Sequence, residues 1–503
     1  MSTQLTKQSP LAWSFILVLL GTAMHLALAF TTELSVDEAH YALYAKHLAW
    51  SYFDHPPLVG WIQWPFVAIN APDGILRLIP ISIWIISCIL VYQIAYQLND
   101  YCSDRGLLSK QIGLGNSALA GLAAVAVIVF APLPHVLAVG LVPDTLLTPL
   151  SLAILWMTLQ WIKQDGQFSF YQWIGLGLLF GLAGLSKYTA ALYAIAFVIA
   201  CLTVPRYSFL KQSGFYLAIA IALLLISPVI LWNAQHDWIS FKYQIDHGSG
   251  GTWLWRRVAA FIGLQIAVFG FLPLLGLWAF SSSVHWRTRP WIGILLIFFA
   301  LPFGVFAILS GGGGLPHWTS PAWFCLAPFA GIGLAKAWAT QHRNWIRILF
   351  IIQIALCCIG FGYVLSGGIS SSSIKSNPIA DLYGWKIAGQ KAAELTKATK
   401  ANGIAVQNWT LGSRAAWYAS PTPVFVLDQR QDQFDLWFGD LPIGATVLLV
   451  NWSGMPHPMP IGSKSAFEAC EPLDSLEIKR FGRVLSRFDF SLCQNWQGSS
   501  RPE

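Results

Sequence analysis

Long apolar runs separated by short polar stretches recur from residue 12 to about residue 366, and beyond that point the pattern changes. The runs cover 12–31, 75–98, 115–136, 145–162, 171–186, 189–204, 214–232, 258–280, 291–309, 321–339 and 346–366. A helix needs about 20 apolar residues to cross a hydrocarbon layer about 30 Å thick, so the pattern predicts about eleven transmembrane helices. The first run, Leu11 to Phe30, resembles a leader peptide, but many more follow it, and an uncleaved first span is expected. Past residue 366 come a helix-like run, Tyr383 to Lys400, and strand-like runs at Ile404 to Val406, Val424 to Leu427 and Val447 to Val450. Pro, Gly and Ser punctuate them, which predicts a small α/β domain. The fold class is therefore mostly α and polytopic. It comprises a membrane domain at 1–366, with a long exterior loop at about 32–74, and an extracytoplasmic domain at 367–503 reached through Ser370 to Ser373.

Composition supports the bilayer as solvent: 55% of the 503 residues are hydrophobic and 11% are charged, against about 25% charged in soluble domains. A net charge of +7 without a dense basic block or basic helix argues against nucleic-acid binding. One set of alternate loops holds about eleven Lys and Arg, including Lys7, Arg105, Lys110, Lys163, Arg206, Lys211, Arg287, Arg289, Lys336, Arg343 and Arg347. The other set holds about six, including Lys46, Arg77, Lys187, Lys242, Arg256 and Arg257. Positive flanks stay inside, so the N-terminus is cytoplasmic and an odd number of crossings leaves the tail outside. There Cys470 and Cys493 stand alone in a polar segment, and either a disulfide or two free thiols fits. The remaining cysteines lie in or near spans, where small apolar packing is the ordinary reading.

Candidate chemistry gathers on the exterior side. The amphipathic stretch Ser35 to Trp50 is expected to lie at the interface as a helix, and it carries Asp37 and Glu38. Glu38 completes a Ser35-x-x-Glu38 capping box, so it reads as a cap or as a catalytic acid. Asp37 has no capping role and shares a helix face with His40, Tyr41 and Tyr44; it suits a general base. Asp54 and His55 precede two prolines, which hold the segment extended. They fit either a rigid turn or a contact to phosphate through a divalent cation. Asp144, after Pro143, reads as a helix N-cap or a cavity residue. Lys187, between two very apolar spans, either snorkels or binds a lipid phosphate. His236 and Asp237 suit a metal or sugar contact, which makes Asp54 and His236 the candidate metal ligands. His317 repeats the theme beside the Gly311 to Gly314 run.

These motifs, in order, are DEAHYALYAKHLAWSYFDHPPLVGWI at 37–62, RLIP at 77–80, VPDTLL at 142–147, GLAGLSKYTA at 181–190, WNAQHDWISF at 232–241 and LPHW at 315–318. The tail adds YGWKIA and DQRQDQFDLW. The series resembles the bacterial ArnT-like and protein O-mannosyltransferase-like membrane glycosyltransferases, the GT-C superfamily with its PMT_2 domain. That resemblance implies an inverting transfer of one sugar from a polyprenyl (undecaprenyl) phosphate donor to a lipid, glycan or protein acceptor on the periplasmic face of the inner membrane. It implies Asp37, with Glu38 beside it, as the catalytic or acceptor-binding acid, and Asp54 and His55 near the donor phosphate. Lys187 would contact that phosphate, and Asp144, His236 and His317 would line the cavity. ArnT-like enzymes carry Glu-Lys where this chain has Asp54 and His55, a departure that weakens the case for aminoarabinose transfer while lipid A stays among the implied acceptors.

No P-loop or dinucleotide fingerprint follows a strand-like run, and no nucleotide cofactor is expected. The alternative is a transporter or flippase for lipid-linked sugars. It predicts charges deep in spans, or paired broken helices, whereas the acids here lie mostly at exterior span ends.

Overall fold

The computed structural model describes residues 9–104, 117–202, 209–249, 252–282, 293, 295–339, 342–368, 377–428, 430–457 and 466–498. Lys7, Arg105, Lys110, Arg206, Arg287, Arg289 and the Ser370 to Ser373 linker lie outside them. A helix lies on each of the eleven apolar runs. These helices are α1 (Pro10–Thr31), α3 (Leu78–Asp104), the pair α4 and α5 (Ser117–Val129, Pro132–Val139), α6 (Pro143–Lys163), α7 (Phe170–Ser186), α8 (Ala191–Leu202) and α9 (Ser213–Gln235). After α10 (Ile239–Ser249) come the pair α11 and α12 (Trp255–Phe269, Leu272–Ser281), α13 (Ile297–Leu309), α14 (Ser320–Trp338) and α15 (Arg343–Leu365). Among the described residues, five spans are long and apolar enough to cross a membrane alone, and seven if each bent pair counts as one. The most apolar windows of α9 and α15 are only 11% and 6% buried. Surface that apolar is tolerable only against lipid tails or another protein.

The chain divides into two compact units. The first comprises Met1–Ala27, Asp54–Val59 and Leu78–Cys358; the second comprises Leu28–Phe53, Gly60–Arg77 and Ile359–Glu503. In the first, α14 is the hub and is buried along almost its whole length, packed by α4, α6 and α12. Its small residues permit this approach: a Cβ on Gly331 would meet backbone of Ala120 and Ala124, and one on Gly276 of α12 would meet the Ala330 carbonyl. Close backbone approach of this kind stands in for a hydrophobic driving force between helices in lipid.

Both bent pairs have identifiable causes. The α4–α5 axis turns by 74° and the α11–α12 axis by 94°. Pro132 and Pro273 lie at the first and second positions of the second helices and cannot continue the first ones, and Gly270 takes φ +80°. The breaks release carbonyls that a low-dielectric interior leaves costly. His135 Nε2 lies 2.7 Å from Val129 O, and its Nδ1 lies 2.8 Å from His25 Nε2. Gln353 Nε2 donates to Phe130 O at 3.1 Å and to Phe269 O at 3.5 Å. One buried amide on α15 therefore caps both breaks.

The second unit holds α2 (Val36–Lys46) and the tail elements α16 (Trp385–Thr399), β1 (Ile404–Val406), α17 (Trp409–Tyr418), β2 (Val424–Val426), α18 (Gln433–Phe438), β3 (Val447–Trp452), β4 (Phe467–Arg480) and β5 (Arg483–Trp496). The sheet order is β2-β1-β3-β5-β4, parallel among the first three strands and antiparallel thereafter. Cys470 and Cys493 are register partners across β4 and β5 and form a disulfide. The β4–β5 hairpin was not legible as strands, since β4 is mostly exposed and lacks the alternation that marks a half-buried strand. Its turn uses positive φ at Phe481 and Gly482, the geometry of a two-residue hairpin loop.

The interfacial reading of the first loop is corrected here. Glu38 through Ala45 of α2 are buried, Leu43 joins the core with Trp385, Leu411 and Phe434, and α17 packs against the helix. Apolar residues occur on more than one face of α2, so protein rather than a bilayer surface surrounds it.

Candidate active site

The helical unit buries one compact charged cluster. Lys187 ends α7, where its backbone turns extended (φ −158°, ψ 141°) before the 3₁₀ turn Tyr188–Ala190. Its side chain, 6% exposed, donates to Asp144 Oδ1 at 2.7 Å and Oδ2 at 2.6 Å. Asp144 lies in the first turn of α6, where a carboxylate is favoured by the helix dipole. The N-cap itself is Val142, so the capping role expected of Asp144 is replaced by ion pairing. His317 Nε2 stands 3.7 Å from Asp144 Oδ2, and the Lys187 ammonium lies 5.9 Å from the centre of the Trp318 ring. Three of the residues singled out in the sequence, Asp144, Lys187 and His317, thus meet.

An apolar cleft of ≈ 380 Å³ runs between α7, α8 and α9, lined by Leu176, Phe180, Tyr188, Phe197, Leu223 and Ile230 among others. Tyr188 follows Lys187 in the chain, so the cleft wall and the charged cluster share one turn. Asn233, absent from the sequence reading although its motif was noticed, fixes the far wall. Its Nδ2 donates to Val229 O and lies 3.5 Å from the Tyr188 hydroxyl, and its Oδ1 accepts from Ser240 N. Asp237 and Trp238 take positive φ in the corner it holds, an unusual conformation for a bulky side chain.

His236 does not join the cluster. Its ring stacks on Trp232 at 3.9 Å, and its Nδ1 lies 2.8 Å from Trp232 O. Asp54 and His55 are half-buried in the same unit, where Gln244 Nε2 donates to the Asp54 carbonyl. The metal expectation is not supported. Among the described residues, no group of three or more His, Cys, Asp or Glu side chains could hold an ion, so Asp54 and His236 do not fit as a ligand set.

In the second unit Glu38 makes the expected capping-box contact, accepting from Ser35 N at 3.0 Å. It also takes Arg77 Nε on Oε1 at 2.7 Å and Nη2 on Oε2 at 2.9 Å. Arg77 spends its remaining donors on Thr32 O, Thr32 Oγ1 and Glu33 O. All five N–H groups of a guanidinium are then used, and Glu38 is clamped. Sequence reading had counted Arg77 as a loop charge and as the start of the RLIP motif, without a partner.

Asp37, in the same first turn of α2, has a different setting. It acts electrostatically on Arg414, a fully buried residue of α17 whose guanidinium lies 3.9 Å from the Trp385 ring centre and 5.1 Å from that of Trp452. Arg414 also pairs with Asp381. Burial pushes the Arg414 guanidinium down to about 9, against the opposing pull of Tyr418 and Asp37, so it remains a cation at neutral pH. Asp432, in the tail motif, is 3% exposed. It caps α18 by accepting from Phe434 N at 2.7 Å, and burial pushes its carboxyl up to about 6.

Residues 113–232, which include Asp144 and Lys187, match the family model described as dolichyl-phosphate-mannose-protein mannosyltransferase. The fold is shared with ArnT from Cupriavidus metallidurans. Its crystal structure in the apo state aligns with a TM-score of 0.63, and that bound to undecaprenyl phosphate with 0.61. Each aligns at 15% identity over 95% of this chain and 98% of the other. No curated protein matches the chain by sequence. The chain thus shares its fold with ArnT, and the segment similar to the mannosyltransferase model carries the Asp144–Lys187 pair.

Proposed function

We propose, on the premise that the chain is a membrane glycosyltransferase of this fold, that it moves one sugar, with inversion, from a polyprenyl phosphate donor to an acceptor on the periplasmic face of the bacterial inner membrane. The observation that carries this reading is a buried ammonium beside an apolar cleft. A polyprenyl phosphate sugar needs both: lipid-compatible walls for the chain and a cation for the phosphate. The ArnT structure with undecaprenyl phosphate bound supports the same class of donor.

Asp144 takes two of the three Lys187 donors, which leaves one N–H for a phosphate oxygen. When the sugar–phosphate bond breaks, the lipid phosphate gains negative charge. An ammonium held in a site of low dielectric stabilises that charge more than water would. A protonated His317 would share Asp144 with Lys187 and leave more of the cluster's positive charge for a phosphate. In this reading Asp37 is the base that takes the acceptor's proton, the buried Arg414 cation faces it electrostatically, and Glu38 with Arg77 anchors the helix that carries it. Asp54, His55 and His236 remain proposed as cavity residues.

The two broken spans and the buried charge pair are features that a transporter would share. The freed carbonyls of the spans are taken up by His135 and Gln353 and are used within the protein. The deciding experiment incubates the purified protein with a panel of undecaprenyl phosphate sugars and an acceptor extract, and follows the lipid by mass spectrometry. Release of free undecaprenyl phosphate supports transfer; a sugar–lipid that crosses the bilayer intact would establish transport instead.

A further inference from the structure

We infer that Gln265, a polar residue inside the apolar helix α11, is the positioning residue that holds the His317–Trp318 turn onto the Asp144–Lys187 pair; the inference rests on the function proposed above. Gln265 has no exposed surface. Its Nε2 donates to Pro316 O at 3.1 Å, while its Oε1 accepts from Thr319 Oγ1 at 2.5 Å and from Trp323 Nε1 at 2.9 Å. An indole N–H can only donate, so the atom facing Trp323 must be oxygen and the amide nitrogen is left for the Pro316 carbonyl. The orientation of the amide is thereby fixed by chemistry.

Pro316 and Thr319 are the two ends of the 3₁₀ turn Pro316–Thr319, and Gln265 grips both. Between them lie the two side chains that face the charged cluster, His317 beside Asp144 and Trp318 beside Lys187. The turn follows the glycine-rich run Gly311 to Gly314, which supplies little side-chain packing to hold it. A buried amide that makes three hydrogen bonds replaces that support. Loss of it need not unfold the helix, yet it frees the turn to drift, and a displacement of about 1 Å in a reacting site costs on the order of a hundredfold in rate.

Two variants test the assignment in lipid nanodiscs. Gln265→Leu removes all three hydrogen bonds; Gln265→Met, unbranched like glutamine, also removes all three, and it takes over if the leucine protein does not purify as a single species. Two readouts are made: hydrogen exchange of the peptide covering 315–319, and release of undecaprenyl phosphate from the donor panel. Gln265→Leu is expected to raise exchange in that peptide and to lower kcat by about tenfold to a hundredfold, with KM for the donor changed less. Combined with His317→Ala, it is expected to cost much less than the product of the two single losses, because both act through one turn. Unchanged exchange in both variants, or losses that simply multiply, would overturn the role of Gln265. If the wild-type protein releases no lipid phosphate from any donor, the proposed function fails, and the exchange measurement still decides whether Gln265 holds the turn.

Discussion

Asp144 grips Lys187 through both carboxylate oxygens, and neither side chain is more than 6% exposed. Two buried charges in a helical membrane unit are costly separately and tolerable as a pair. The pair joins the start of α6 to the end of α7 across 43 residues of sequence, and each partner is the condition for burying the other.

Removal of Lys187 alone should therefore harm stability as well as function. Lys187→Met leaves Asp144 an uncompensated buried anion, and about 3–5 kcal/mol of destabilisation is expected. Lys187→Met with Asp144→Leu should recover most of that loss while undecaprenyl phosphate binding stays absent. Thermal unfolding in detergent, together with lipid-phosphate titration, measures both effects. Recovery of lipid-phosphate binding in the double variant would remove Lys187 from the donor site.

Asp37→Asn is expected to abolish transfer without loss of folding, because the substituted amide is nearly the same size. A lost general base costs about 10²–10⁴-fold in rate. Initial rates of product formation by mass spectrometry, beside an unchanged unfolding curve, provide the check. Full activity in the variant would assign the base elsewhere.

Asp432 supplies a pH signature for the second unit. Its folded pKa, about 6, lies above the ordinary carboxylate value of 3.8. The unfolded chain therefore loses this proton first as pH rises, and stability falls between about pH 4 and pH 6. Above that window the buried charge costs on the order of 3 kcal/mol. Asp432→Asn keeps the helix cap, since asparagine caps as well as aspartate. It should raise the unfolding temperature above pH 6 and leave it unchanged near pH 4. Unfolding curves across that range decide the matter; an equal shift at both ends would point to packing rather than charge.

Gln353→Leu should expose both helix breaks at once. It removes the donor to Phe130 O and Phe269 O and leaves Phe130 O only the weakly donating Cys357 thiol, a loss of about 1–3 kcal/mol for a carbonyl left without a good donor. Thermal unfolding measures the loss. A neutral result would show that the breaks are held by helix packing alone.

Much of this architecture was legible in the sequence, because a span announces itself by length and hydropathy. Every apolar run holds a helix, and the strand-like tail runs at residues 404, 424 and 447 are strands. Partnerships were not legible. Asp144 read as a cap because Pro143 precedes it; only the fold brings Lys187 within 2.6 Å. Gln265 and Gln353 carry no signal in the sequence, since nothing local reveals which carbonyl an amide will meet. The α2 segment misled in the opposite direction. Its amphipathic pattern suggested a membrane surface, whereas residues more than three hundred positions away cover it.

That distance has a consequence for how the molecule is made. Leu34 N donates to the Tyr418 hydroxyl across 384 residues, and Phe53 N to Gln433 across 380. At a synthesis rate of about 5–20 residues per second, the segment after the first helix emerges tens of seconds before the strands and helices that enclose it exist. During that interval Leu43 and Tyr44 have no native partners from the tail, and a chain halted before α17 would leave them permanently so. Biogenesis of the second unit thus waits for synthesis of the tail elements, and a helper that shields this early segment would be needed only until they emerge.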